Sequence, residues 1–266
     1  MADGLLDSQT LAQPTPERVP VRVATGPGSP AQASLAPPAN GQLNLGEMTA
    51  GIPLGVAPAP TSLGYRLAKR TLDFVVAAVG LSVFLPVIGV LVLLTRLDSP
   101  GPAIFRQTRV GYRGRPFTFY KFRTMYVDAK ERFPDLYAYQ YTEDEWRELF
   151  YKLPDDPRLT PFGRRLRKTT LDELPNLFNV LRGQMSLVGP RPELPEYARY
   201  YTTEQIVKFS VPSGVTGLAQ TSGRGMLPVQ EQIAADVEYV RRRSFWFDLV
   251  LLARTVKMVV LRIGAF

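Results

Sequence analysis

From Phe74 to Leu94 the chain reads FVVAAVGLSVFLPVIGVLVLL, 21 residues without a charge. A straight helix of that length is about 32 Å, enough to cross the hydrocarbon core of a bilayer. Pro86 interrupts it, because proline removes one helical hydrogen bond and crowds the preceding turn, leaving arms of roughly 18 and 12 Å. Both flanks are basic, with Arg66, Lys69 and Arg70 before the run and Arg96, Arg106, Arg109, Arg113 and Arg115 after it. Cationic flanks stay on the cytoplasmic side, so both ends favour the same face. The pattern therefore predicts a kinked, re-entrant helix over residues 65–97, bent at Pro86. A proline-kinked spanning helix is the alternative, since spanning helices tolerate proline.

Beyond Ser99-Pro-Gly-Pro102 the periodicity changes. AIFRQTRVGYRGRPFTFYKFRTM alternates cations with aromatics and predicts two short strands around a Gly111/Gly114 turn. Lys121 and Arg123 share one face of the second strand, because side chains repeat every two residues; the face is either a solvated cationic edge or part of an anion site. Residues 126–160 are polar and acid-rich, with TEDEWRELF as a surface helix and no catalytic residue expected. Leu171, Leu174, Phe178 and Leu181 recur at helical spacing up to Gly183, and Thr170-x-x-Glu173 matches a capping box. The C-terminal SFWFDLVLLARTVKMVVLRIGAF is apolar but broken by Asp248, Arg254, Lys257 and Arg262. It predicts an amphipathic helix in the membrane interface, or one packed on the protein's own core.

Composition narrows the chemistry. Residues 1–62 hold no aromatic side chain and are rich in Pro, Ala, Gly, Gln and Ser, which predicts a disordered tail. The tail carries net −2 of a total of +8, so the rest of the chain holds about +10 and should meet an anionic partner. With no cysteine and no histidine, thiolate nucleophiles, histidine triads and ordinary zinc sites are excluded. What remains is carboxylate, hydroxyl, Lys and Arg chemistry, or an oxygen-ligated metal. Arg164, Arg165, Arg167 and Lys168 precede the adjacent acids Asp172 and Glu173, which should sit at or just before a helix N-terminus beside Pro175. Two adjacent carboxylates repel unless a cation bridges them, and Mg2+ suits such an oxygen donor set. Equally, Glu173 could cap the helix while Asp172 pairs with Arg167. Gly189-Pro-Arg-Pro192 holds Arg191 between two prolines with its guanidinium ready for an anion. In PSGVTGLAQTSGRG, residues 212–225, four glycines allow close approach to a ligand and Arg224 adds a cation.

Lys69–Asp73 leading into the apolar run, then YKFRTM, LDELPNLFNVLRGQMSLVGPRP, GVTGLAQTSGR and DVEYVRRRSFWFDL, resemble the bacterial sugar transferase family of monotopic phosphoglycosyl transferases over about residues 65–262. The resemblance implies an α+β protein with a re-entrant helix, a small strand hairpin and a mostly helical cytoplasmic catalytic domain, residues 98–266, carrying interfacial amphipathic helices. It implies a membrane enzyme on the cytoplasmic face of the bacterial inner membrane, working in exopolysaccharide or glycoconjugate assembly. The reaction would move a sugar 1-phosphate from a UDP-sugar to polyprenyl (undecaprenyl) phosphate with release of UMP. It implies Mg2+ dependence and a covalent phosphosugar on Asp172, with Glu173 and Asp172 toward the metal, Arg167 and Arg191 on phosphates, and Asp236 as a further acidic site residue. Lys121 and Arg224 join the expected phosphate-binding cations. The expected partners are the UDP-sugar, the lipid phosphate and membrane lipids, with no nucleic acid; homodimerisation is left open, as are the sugar and the polymer. Family members commonly have serine before the kink proline, where this chain has Leu85. Larger relatives carry four extra N-terminal membrane helices, for which the expected counterpart here is only the tail. A membrane-anchored basic scaffold for anionic lipid or nucleic acid explains the charge and the apolar run, but not two acids set among arginines.

Overall fold

A computed structural model describes residues 61–150, 153, 155–223 and 227–261. Apart from Thr61 and Ser62, the expected tail lies outside these residues, and so does Arg224.

Helix α1 (Leu63–Asp98) opens with Ser62 as N-cap, its hydroxyl accepting from the Tyr65 N–H at 3.2 Å, and contains Pro86 in its interior. It is long and apolar enough to cross a membrane by length and composition. One face of each arm packs on the rest of the protein. On the first arm Asp73 and Ala77 are buried, and on the second Leu91 and Thr95. Ala77 joins a cluster with Val180, Met185, Leu187, Tyr239 and Leu251, whereas Leu91 joins a different one with Phe122 and Leu166. Between them every residue from Ser82 to Val87 is exposed, Leu85 at 65%. Such an exposed stretch, apolar in every residue but Ser82, is unfavourable in water.

After α1 come the predicted strands. Strand β1 (Ile104–Val110) pairs antiparallel with β2 (Pro116–Phe122), Ile104 opposite Phe122 and Val110 opposite Pro116. The turn between them places Arg113 and Gly114 at positive φ. A short helix α2 (Ala129–Arg132) and a 3-10 turn lead to α3 (Glu143–Glu148), the expected surface helix. Its capping box, Thr142 with Glu145, stands where none was predicted, and Trp146 turns inward against Tyr197, Tyr200 and Tyr201.

Helix α4 (Pro161–Thr169) is capped by Thr160, whose hydroxyl accepts from Gly163 N–H at 3.0 Å. A Cβ at Gly163 would run into the Thr124 carbonyl, so this glycine lets α4 lie directly on the end of β2. Thr170 ends α4 in the left-handed conformation, φ 63°, and a 3-10 turn, Leu171–Glu173, precedes α5 (Asn176–Leu181). The predicted capping box at Thr170/Glu173 is absent: no side-chain cap bond forms at Thr170, which closes one helix instead of opening the next. Strand β3 (Met185–Val188) then pairs in parallel with β4 (Ser213–Thr216).

Residues 212–225 were expected to form a glycine-rich loop open to a ligand. Instead residues 213–216 form β4 and 218–223 form α6 (Leu218–Gly223), and Gly214 and Gly217 pack against the Gly189 backbone. Gly189 N–H donates to Thr216 O at 2.9 Å and Gly214 N–H to Pro190 O at 2.8 Å, and a Cβ on Gly214 would strike Gly189. Helix α7 (Val229–Arg242) follows, then α8 (Phe245–Val260). One face of α8 packs on the protein's own core, with Asp248 and Leu251 buried, while Trp246, Val250, Val256, Val259 and Val260 are exposed.

Candidate functional site

Asp172 and Glu173 occupy the 3-10 turn directly before α5, as their position beside Pro175 predicted. Asp172 is buried to 8% exposure. Two cations predicted from sequence, Lys121 and Arg167, lie within electrostatic reach of this acid, and a third, Arg191, meets the neighbouring Glu173. Lys121, half-buried near the end of β2, has its amine pushed down to about 7, first by desolvation and then by Arg167, with Asp172 acting the other way. Arg109 and Arg191 add to the downward push, so Lys121 lies within electrostatic reach of all three arginines. Burial works against the charge of Arg167 as well, and Asp172 and Asp156 offset it. Arg191 reaches Glu173 at 3.7 Å.

Arg167 is fixed by groups that sequence reasoning passed over. Asp156, 1% exposed, takes Arg158 at 2.8 Å and Arg167 at 3.7 Å, and Arg167 Nε donates to Thr124 Oγ1 at 3.2 Å. The residues 126–160, from which nothing catalytic was expected, thus supply the carboxylate behind Arg167. The Asp155-Asp-Pro-Arg158 run is a turn signature that could have flagged it.

Arg123 does not share the site with Lys121. Its guanidinium turns back to the end of α1, donating to the Thr95 carbonyl at 3.2 Å and the Ser99 carbonyl at 2.7 Å. Strand β2 ends at Phe122, so the period-two argument stops one residue short of Arg123.

Asp236 lies beneath the Gly189–Pro192 loop rather than at its surface. It is 1% exposed, pairs with Lys208 at 2.9 Å, and its Oδ2 accepts from the Arg191 backbone N–H at 3.2 Å. Desolvation raises its carboxyl above the usual range, opposed by Lys208. Lys208 also approaches Glu193 at 3.5 Å, and Tyr201 donates to Glu193 at 2.6 Å. Arg191 and Glu193, on either side of Pro192, are therefore both braced from below.

Among the described residues no group of three or more acidic side chains converges as a closed metal cage. Mg2+ commonly uses only one or two carboxylates, with water and substrate phosphates completing its shell, and the adjacent Asp172 and Glu173 fit that mode.

Arginines and a lysine gathered about a buried Asp172 and its neighbour Glu173, on a body that packs on both arms of an apolar helix, define a membrane-associated protein with a cationic site around adjacent carboxylates. Residues 64–262 match the family model described as bacterial sugar transferase, and the chain belongs to that family. It is 44% identical over 203 residues to the galactosyl transferase CpsE of Streptococcus agalactiae, covering 76% of this chain and 44% of that protein. It is 40% identical to the undecaprenyl-phosphate galactose phosphotransferase of Salmonella typhimurium, over 76% of this chain and 42% of the relative. The UDP-glucose:undecaprenyl-phosphate glucose-1-phosphate transferase of Caulobacter vibrioides is 40% identical over 75% of this chain and 72% of its own length. The chain thus spans less than half the length of the first two.

Proposed function

We propose that this protein transfers a sugar 1-phosphate from a UDP-sugar to undecaprenyl phosphate, releasing UMP and leaving an undecaprenyl-diphosphate sugar. The observation that carries the reading is Asp172, buried within reach of Lys121 and Arg167, with Arg191 on the adjacent Glu173. The activities named for the Salmonella and Caulobacter relatives support the acceptor, and that of the Caulobacter relative supports a UDP-sugar donor.

In the first half-reaction an Asp172 carboxylate oxygen attacks the β-phosphorus of the donor. The bond from that phosphorus to the bridging oxygen breaks, and its electron pair leaves with UMP. In the second, an oxygen of the lipid phosphate attacks the same phosphorus and Asp172 is released as a carboxylate. An anionic nucleophile approaching a diphosphate needs fixed positive charge, which Arg167, Arg191 and Lys121 supply without reorganising. Mg2+, when held by Asp172 and Glu173, would screen further phosphate charge. Helix α1 serves as a re-entrant anchor at the cytoplasmic face, its exposed Ser82–Val87 apex dipping into lipid and bringing an insoluble acceptor to the cleft.

Mass spectrometry of enzyme quenched with UDP-sugar and no lipid acceptor tests the reading. A phosphosugar mass on the peptide containing Asp172, lost in Asp172→Asn, is expected. Normal turnover by Asp172→Asn would replace the covalent route with direct transfer to the lipid phosphate.

A further inference from the structure

The two arms of α1 hold different halves of the phosphate site. On the first arm, Asp73 Oδ1 accepts from the Leu187 N–H at 2.9 Å, and Lys69 Nζ donates to the Val188 carbonyl at 2.9 Å. Leu187 and Val188 end β3, and the chain passes from them through Gly189 and Pro190 to Arg191. On the second arm, Asp98 Oδ1 accepts from the Phe162 N–H at 3.1 Å in the first turn of α4. The last turn of α4 carries Arg167, and Asp172 lies three residues beyond its end. Arg123 reinforces this arm by joining the Thr95 and Ser99 carbonyls to the strand that bears Lys121.

Hydrophobic packing alone would hold α1 against the body without fixing its register, because that attraction is non-directional. A carboxylate accepting one backbone N–H is directional, and both links end on elements that lead straight into the site. Between the arms, Ser82–Val87 contributes no packing that could set their angle. On an arm of about 18 Å, a change of roughly 3° moves the end by about 1 Å. A misplacement of about that size is enough to slow a positioned reaction on the order of a hundredfold.

We propose that Asp73 and Asp98 are positioning residues of the phosphate site, tying Arg191 to the first arm and the Arg167–Asp172 unit to the second, so that the spacing of the site follows how α1 is seated in the bilayer. This rests on the sugar-phosphate transfer reading. It makes lipid thickness a determinant of chemistry on a water-soluble donor.

The experiment is single-turnover UMP release from UDP-sugar, without lipid acceptor, by the full chain in short-, medium- and long-chain phosphatidylcholine vesicles. Half-saturating donor concentration and rate are read separately. Wild-type enzyme should shift its donor half-saturation by at least about threefold across the series, as bilayer mismatch is met by tilting and bending. Asp73→Ala and Asp98→Ala should weaken donor binding at the optimal thickness and flatten the response, while Asp73→Asn, which keeps the Oδ1 acceptor, should retain it. A purely structural role would lower the melting temperature yet leave donor half-saturation of the folded fraction, and its thickness response, unchanged; that result overturns the proposal. So does a wild-type enzyme whose binding and rate are flat across the lipids, a measurement that decides the matter even where a variant does not fold. Absence of UMP release from wild type in every lipid would instead remove the transfer reading beneath it.

Discussion

Lys121 is driven toward neutrality by burial and by Arg167, and only its protonated form attracts a diphosphate. Its amine sits near 7, so raising the pH above that value discharges it in the empty site, and donor binding must then take up a proton. Donor half-saturation should therefore worsen with rising pH above about 7, by up to about tenfold per unit for one linked proton. Lys121→Arg, charged throughout, should flatten that limb, as a pH series of kcat/KM would reveal. A wild-type profile flat from pH 6 to about 9 would deny Lys121 its phosphate role. Asp156 offers a different test. Removing one member of a buried ion pair strands its partner, so Asp156→Ala should cost about 3 kcal/mol of stability, read from denaturant unfolding, and should weaken donor binding through Arg167. Asp172, Glu173, Arg167 and Arg191 could be read from the sequence because each lies in a compact local motif. Asp156 behind Arg167, and Lys208 with Glu193 behind Asp236, could not. Which charges meet across tens of residues is decided by packing, and a sequence offers every acid to every base.

The helices and the strand hairpin followed from periodicity, but their joints did not. Thr170-x-x-Glu173 has the residues of a capping box, yet Thr170 takes φ 63° because α4 must stop there to turn the acids toward the cations. Propensity at that position yields to tertiary placement. The glycines near 214 were misread for a related reason. A glycine permits close approach without saying to what, and here the partner is the Gly189–Pro190 backbone. Gly163→Ala isolates one such joint. The new methyl would press on the Thr124 carbonyl and lift α4 from β2, separating Arg167 from Lys121. Overpacking of this kind typically costs about 1–3 kcal/mol, so a lowered melting temperature is expected together with weaker donor binding. An unchanged melting temperature would mean that α4 does not depend on this contact.

At the scale of the whole molecule, the arrangement to be explained is a helix with both ends on one body and a bare apolar middle. Asp73 and Ala77 pack on one side of the break, Leu91 and Thr95 on the other, and every residue of Ser82–Val87 is exposed. A spanning helix would separate its ends by the thickness of the bilayer, about 30 Å, and could not keep both seated on one water-facing body. The basic flanks on both sides point the same way. Because the chain has no cysteine, single introduced thiols report topology without background. Gly64 and Pro100 are exposed, and a Cβ at Gly64 meets nothing within 4 Å. Gly64→Cys and Pro100→Cys should both resist a membrane-impermeant maleimide applied to intact cells and both react after lysis, whereas Leu85→Cys at the apex should resist it in either case. Pro86→Ala restores the missing donor and removes the clash, so it should straighten α1 and reduce activity by pulling one arm from its seat. Labelling of Gly64→Cys alone in intact cells would mean that α1 spans the membrane. The packing of its first arm, Ala77 against Val180 and Met185, would then have to be given up with the re-entrant bend.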